Sequence, residues 1–331
     1  MSKLEGKSSP IVVGFVGAGM VAELHHRAMG IGGSLQLAGI VEPNPAIAEK
    51  RSAEWGCQVY ADYSDVLDDS SVEALFILSP EATHEKLATK ALESGKHVFV
   101  EKPVGSPDAI KRLQHEAKSR GLICMPGHNY AYDPDFVQTI RLLREGALGD
   151  IRAAWITYII KHPETVAQRY GGVLSEVMIH HAYLSLALFG IPTSIFAKTM
   201  QPAWLHHSED DQAWMTWDYQ PRLSVHHFAS FAVDDNTHDS WLFVVKVLGT
   251  KGGATYTWRR ALYDRPLGSL GFALPAYEDT YIYEQQAFAR AILGASESIV
   301  SGLDDAYRAA RILELAKKSD REGRSIEVCI D

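Results

Sequence analysis

Gly17, Gly19 and Ala22 stand in the order G-x-G-x-x-A, directly behind the apolar run of residues 11–16. In such a turn the first small residue permits the tight bend, the second lets backbone approach a pyrophosphate, and the third lets a helix pack on its strand. Amides at the helix N-terminus then face the anion. Glu42 ends the next apolar run, 23 positions after Gly19, close to where a carboxylate accepts hydrogen bonds from ribose hydroxyls. The spacing therefore predicts a dinucleotide site built from Gly17, Ala18, Gly19, Met20, Val21 and Glu42. A carboxylate at 42 repels a 2′-phosphate, and Pro43-Asn44-Pro45 brings no Arg or Lys, so NAD is favoured over NADP. A flavin fits less well, because the dinucleotide unit fills only the first third of the chain.

The elements that must position these groups fall into two stretches of different periodicity. Over residues 11–127, short apolar runs (11–16, 35–41, 74–78, 97–100, 122–125) alternate with helical patterns such as 82–94 and 107–120. That alternation predicts a parallel sheet with helices on both faces. After about residue 148, runs rich in β-branched and aromatic residues (151–160, 193–200, 213–219, 223–233, 241–248, 254–258) are separated by turn signals at 234–236 and 249–253. These predict an antiparallel sheet, with helices at 172–189, 281–293 and 306–321. The fold class is thus α/β followed by α+β, with a nucleotide-binding domain over 9–127 and a second domain over 128–331.

Composition removes other classes. A net charge of −9 and the lack of any cluster of five or more Lys/Arg argue against nucleic acid as a partner. No apolar run approaches the ~20 residues that cross a bilayer. The polar N-terminus lacks the apolar centre of a signal peptide, so a cytoplasmic location is expected. Cys57, Cys124 and Cys329 are too widely spaced for a disulfide framework or cysteine zinc site and read as small buried hydrophobes. His206-His207 with Glu209, Asp210 and Asp211 reads as a solvated acidic loop, so no metal is expected.

Glu101-Lys102-Pro103 completes a recognisable set. Together with residues 14–22, Ser79-Pro80 with His84, the stretch 91–103 (ALESGKHVFVEKP), 145–151 (EGALGDI), 170–180 and 249–253, the chain resembles the Gfo/Idh/MocA oxidoreductases. That resemblance implies a Rossmann domain joined to an open-faced, mainly antiparallel sheet flanked by helices. It implies NAD(P) bound with help from Ser79, Pro80, His84, Glu101, Lys102 and Asn129, and a sugar or cyclitol as substrate. It also places Lys102 at the substrate hydroxyl and gives Glu176 and His180 the proton transfer.

Elementary chemistry agrees with these roles. Oxidising a secondary alcohol needs a hydride acceptor and a base titrating near the working pH, which histidine is without tuning. The Lys102 ammonium would stabilise a developing alkoxide. Glu176 and His180 are four apart, share a face if one helix carries both, and would let the carboxylate orient the imidazole. Departures from the family pattern are Glu176 for the usual aspartate, Tyr170-Gly171-Gly172 for three glycines, Tyr183 for a second aspartate, and Tyr130-Ala131-Tyr132 for basic residues after Asn129. Tyr130 and Arg169 are candidate substrate contacts. An amphipathic sheet predicts a homodimer or homotetramer through its outer face. Two further readings remain: a sugar-processing enzyme (glycoside cleavage, epimerase or isomerase) that oxidises transiently on tightly held NAD, and a non-catalytic dinucleotide sensor.

Overall fold

The computed structural model describes residues 9–161, 171–200, 210–219, 221–232, 241–257 and 274–330. In chain order the elements are β1 (Ile11–Val16), α1 (Met20–Gly32), β2 (Leu35–Val41), α2 (Pro45–Trp55), β3 (Gln58–Val59), α3 (Tyr63–Asp68), β4 (Ala74–Ile77), α4 (His84–Glu93), β5 (His97–Val100), α5 (Pro107–Arg120), β6 (Cys124–Pro126) and α6 (Pro134–Arg144). There follow β7 (Ile151–Ile160), α7 (Val173–Glu176), α8 (Met178–Phe189), β8 (Ser194–Met200), β9 (Gln212–Tyr219), β10 (Leu223–Ser230), β11 (Trp241–Gly249), β12 (Gly253–Tyr256), α9 (Leu274–Ile292), α10 (Leu303–Glu322) and β13 (Ile326–Glu327). Among the described residues, no helix is long and apolar enough to cross a membrane.

The chain divides into two compact units. The first comprises residues 1–132 and 278–307, the second 133–277 and 308–331. In the first, six parallel strands lie in the order β3-β2-β1-β4-β5-β6, the doubly wound arrangement whose ligands collect beyond the carboxyl ends of the strands. Local chemistry sets the helix starts. Asn44 and Ser106 each accept a hydrogen bond from the first turn of α2 and α5, with Pro45 and Pro107 at the next position, where proline's fixed φ suits a helix and no amide is lost. Gly56 and Gly121 end the same helices at φ 63° and 65°, a conformation that costs glycine least. Buried Phe76 and Phe99, from β4 and β5, stack at 4.6 Å, and Phe288 of α9 meets both edge-on. The sequence run 281–293 is therefore part of a longer helix whose apolar side completes the core of the nucleotide-binding unit.

The second unit holds a seven-stranded sheet, β12-β11-β7-β10-β9-β8-β13. Its pairings are antiparallel except β10 with β7, which are parallel. Alternation along each strand separates two faces: Ile156, Met215 and His227 are buried, whereas Trp155 and Trp214 are 38% and 36% exposed. The apolar helix α8, buried along nine of its residues, belongs to this unit. Two short strands, β3 and β13, escape the sequence reading because two residues carry no periodicity. Of the cysteines only Cys124 is buried; Cys57 is partly exposed and Cys329 exposed.

Candidate active site

In the first unit every strand runs the same way, so the loops behind β1, β2, β4 and β5 leave from one edge. They carry Gly17, Glu42, Ser79 and Glu101-Lys102, respectively. Gly17 has φ +99°, and a Cβ there would lie 2.8 Å from the carbonyl oxygen of Leu78, so both conformation and the approach of the β4 end demand glycine. Gly19 is different. Its φ is −73°, open to any residue, and a Cβ would meet nothing within 4 Å. No protein packing requires a missing side chain at 19, which fits a ligand brought close to backbone there. Gly19 also caps α1 without any side-chain hydrogen bond.

Glu42 is fixed at the foot of this loop. Its Oε2 accepts from the amide of Ala18 at 3.0 Å and its Oε1 from that of Asn44 at 2.9 Å, which leaves each oxygen acceptor capacity for a diol. Arg51, from α2, was not visible as part of this site in the sequence. Its Nε donates to the Ala18 carbonyl at 3.4 Å while its Nη atoms bind Glu54 and Glu23, each at 2.8 Å. The glycine turn and Glu42 thus fit a dinucleotide.

The remaining nucleotide-side residues divide into exposed and braced. Ser79 is half-buried, with Oγ 2.6 Å from Thr83 Oγ1; Pro80 and Met20 are exposed. His84 is buried, its Nδ1 2.8 Å from the Pro103 carbonyl and its Nε2 2.6 Å from that of Ser79. The ring thus lies between the carbonyls of the two loops, to either of which its N–H can donate. Asn129 donates to Thr280 at 2.7 Å, and Tyr130 is wholly buried. The neighbouring residues of this segment are pinned, His128 on Ser301 Oγ at 2.7 Å and Tyr132 on the Ser301 carbonyl at 2.8 Å. Lys102 is half-buried, and its amide donates to Glu101 Oε2 at 3.0 Å.

In the second unit the expected continuous helix across Glu176 and His180 is two helices. The His180 amide bonds to the carbonyl of Val177, three back, at 2.9 Å, and α7 ends at Glu176. One residue, Val177, in right-handed helical conformation, joins α7 to α8. Tyr183 supplies a partner to His180: its hydroxyl lies 2.8 Å from His180 Nδ1, and both side chains are buried. Three apart on α8, these two residues share a face. The ring of Tyr158 lies parallel to the imidazole at 6.4 Å.

The start of α7 is set by Asp210, which accepts from the amides of Val173 (through its carbonyl, 2.9 Å) and Leu174 (through Oδ2, 2.8 Å). Gly172, at φ +89°, makes room, since a Cβ there would touch Asp210 Oδ1. Asp210 and Asp211 are thus no solvated run; one caps a helix and the other is buried. His206, His207, Glu209 and Arg169 lie outside the described residues. His181 and His227 are buried side by side, rings 5.7 Å apart. Burial pushes His181 down to about 3 and His227 well below the usual imidazole value, the neighbouring His181 adding to the latter.

Comparison with known proteins now decides the family. The profile described as "Oxidoreductase family, NAD-binding Rossmann fold" matches residues 11–128, and the GFO/IDH/MocA C-terminal domain matches 136–255. The chain belongs to the Gfo/Idh/MocA family. This Gfo/Idh/MocA protein is an NAD-binding oxidoreductase with a Rossmann sheet and a mostly antiparallel second sheet. It is 26% identical to the uncharacterized oxidoreductase YrbE of Bacillus subtilis, over 96% of both chains, and 24% identical to an inositol 2-dehydrogenase of Rhizobium meliloti, over 95% of this chain and 98% of that one. The crystal structure of scyllo-inositol dehydrogenase from Lactobacillus casei, with bound NAD(H) and scyllo-inositol, superposes with a TM-score of 0.82 at 20% identity. The match covers 96% of this chain and 99% of that one, a likeness of fold.

Proposed function

We propose that this oxidoreductase is an NAD-dependent dehydrogenase of a secondary hydroxyl on a cyclitol or sugar. The observation that carries the reading is the shared strand edge: a glycine turn and Glu42 suited to a dinucleotide, with Lys102 two loops further along the same parallel sheet. When bound, the nicotinamide supplies the hydride acceptor. Gly17, Ala18, Gly19, Met20 and Val21 hold the pyrophosphate end, Glu42 the ribose diol, and Ser79 and Pro80 line the same edge. The Lys102 ammonium stabilises negative charge on the substrate oxygen. His180 takes the hydroxyl proton on Nε2; for that, Nδ1 carries the resting proton and donates it to the Tyr183 oxygen. Glu176 is a polar contact to substrate beside it. Purified protein offered NAD and a panel of cyclitols, sugars and sugar acids should develop the reduced-nicotinamide absorbance with a polyol; silence across the panel despite demonstrated NAD binding would remove the reading.

Tyr183 makes this base unusual in a testable way. A phenol fixes the tautomer of the imidazole but gives the imidazolium no compensating charge. Tyr183→Phe should lower kcat roughly ten- to a hundredfold at little change in KM. Tyr183→Asp should instead move the acid limb of the pH–rate profile upward, because a carboxylate favours the charged ring. Unchanged profiles in both variants would remove Tyr183 from the mechanism.

NAD is preferred over NADP because a carboxylate at Glu42 would repel a 2′-phosphate, while Arg51 is committed to Glu23 and Glu54. Glu42→Gln should shift the ratio of kcat/KM values toward NADP by roughly tenfold, ~1.4 kcal/mol. An unaltered ratio would count against Glu42 as the determinant.

The protein is proposed to be a homo-oligomer through the outer face of the second sheet. There Trp155, Thr157, Trp214, Thr216, His226 and Phe228 line a hollow of about 400 Å³, and contiguous exposed aromatic surface of this kind marks interfaces. Light scattering should give a multiple of 36.6 kDa, and a monomeric mass would oppose the proposal.

A further inference from the structure

Glu284, on α9, has no exposed surface, and neither of its carboxyl oxygens is reached by a hydrogen-bond donor. One of these oxygens, a Glu101 oxygen and a ring nitrogen of His25 all lie within 4.8 Å of one another. The other groups of the cluster are already engaged. Glu101 accepts from His25 Nε2 at 2.9 Å and, through its second oxygen, from the Lys102 amide at 3.0 Å. The Gln285 amide nitrogen lies 3.1 Å from His25 Nδ1 and donates to the His25 carbonyl at 2.9 Å. With Gln285 donating to Nδ1, the ring presents its Nε2 N–H to Glu101.

The walls are aromatic: the rings of Phe76, Phe99 and Tyr281 stand 5.4, 5.0 and 4.9 Å from that of His25. Two carboxylates cannot both stay ionised in such surroundings without a cation. Burial, reinforced by the charge of Glu101, drives the Glu284 carboxyl well above the ordinary carboxylate range, so it is a neutral acid. A neutral acid has one proton to donate, and the Glu101 carboxylate faces it.

We propose that Glu284 is a positioning residue of the Lys102 site: its carboxyl group hydrogen-bonds the carboxylate of Glu101 and, through it, holds the main chain of Lys102 at the end of β5. This rests on the proposed role of Lys102 in polyol oxidation. A residue 182 positions downstream of Lys102 thereby takes part in setting where the ammonium stands, from a helix that follows β12 in the chain. Glu284 touches neither substrate nor cofactor; it acts through Glu101.

The test uses the full-length protein and three variants. The infrared difference spectrum of wild type minus Glu284→Gln at neutral pH should show the carbonyl band of a protonated carboxylic acid. Glu284→Gln, which keeps a neutral donor, should retain kcat within about threefold. Glu284→Leu and Glu284→Ala, which lack one, should lose kcat roughly tenfold or more, with KM and NAD affinity held. A missing carboxylic-acid band, full activity in the leucine or alanine variant, or equal loss in Glu284→Gln at unchanged melting temperature would overturn the proposal. So would a stoichiometric divalent metal in purified wild type that Glu284→Gln loses, since His25, Glu101 and Glu284 would then be its ligands. If the apolar variants fail to fold, the infrared band and the glutamine rescue decide. If wild type oxidises no polyol, the function reading fails while the band still reports on Glu284.

Discussion

Lys102→Ala and His180→Ala are expected to lower kcat for polyol oxidation by roughly 10²–10³ and 10²–10⁴, respectively, with the dissociation constant for NAD changed by less than about threefold. The sizes follow from the interaction each substitution removes. A preorganised charge beside a developing alkoxide, in a site shielded from water, contributes about 3–4 kcal/mol to the barrier. General-base transfer contributes a comparable factor. Binding should be spared because, in the proposed function, the glycine turn and Glu42, on other loops of the sheet, hold the pyrophosphate and ribose. His180→Gln keeps volume and polarity but provides no base, so it should resemble His180→Ala. Titration of NAD by fluorescence, beside steady-state kinetics, separates the two effects. Loss of NAD binding in either variant would make that residue part of the cofactor site, and full activity in both would end the mechanism.

The second large effect is acid sensitivity. His128 and His181 are pushed by burial down to about 3, and His227 well below the ordinary imidazole range. These groups are neutral in the folded protein and take up protons on unfolding once the pH drops below about 6.5. The unfolded chain then binds more protons, so stability falls as pH falls. Glu284 has the opposite sign. Its folded value is raised, so its contribution is present below the unfolded value near 4.5 and is lost as pH rises through the folded one.

Between pH 6.5 and 5 the three histidines outnumber the one carboxyl, so the unfolded chain takes up net protons and stability should fall progressively as the pH is lowered. His26 and His97, lowered by partial burial, act in the same direction. Urea midpoints measured across that range should show the slope, and replacing His181 by phenylalanine should reduce it. A flat profile would mean that the buried rings find partners able to keep them charged.

Much of this architecture is legible in the sequence because it rests on strong local signals. The runs 11–16, 35–41 and 97–100 are apolar strands bounded by glycine or charge, and the pairs Asn44-Pro45 and Ser106-Pro107 announce helix starts. Gly17 and Glu42 are readable since a turn and a strand end fix their geometry from neighbouring residues alone. The rest depends on pairs distant in sequence or on breaks that periodicity hides. A run of apolar residues over 173–189 gives no sign that the helix is divided at Val177. In the sequence Tyr183 stands out as a departure from a family aspartate, and its three-residue spacing from His180 is the clue to their contact. Asp210 looks solvated until its partners, the amides of Val173 and Leu174 some 36 residues earlier, are known. Glu284 gives no signal at all, for a glutamate in a helical run is ordinarily exposed, and only the tertiary packing of α9 beside His25 and Glu101 reveals its burial.

The central claim, net hydride transfer from a ring carbon to nicotinamide, is tested most directly with inositol deuterated at every ring carbon and oxidised in the presence of NAD. Mass spectrometry of the recovered cofactor should find one deuterium in each reduced nicotinamide, with a slower rate than for the protiated substrate. Conversion of the inositol without accumulation of labelled reduced cofactor would contradict the claim and assign the protein to chemistry that recycles its NAD within each turnover.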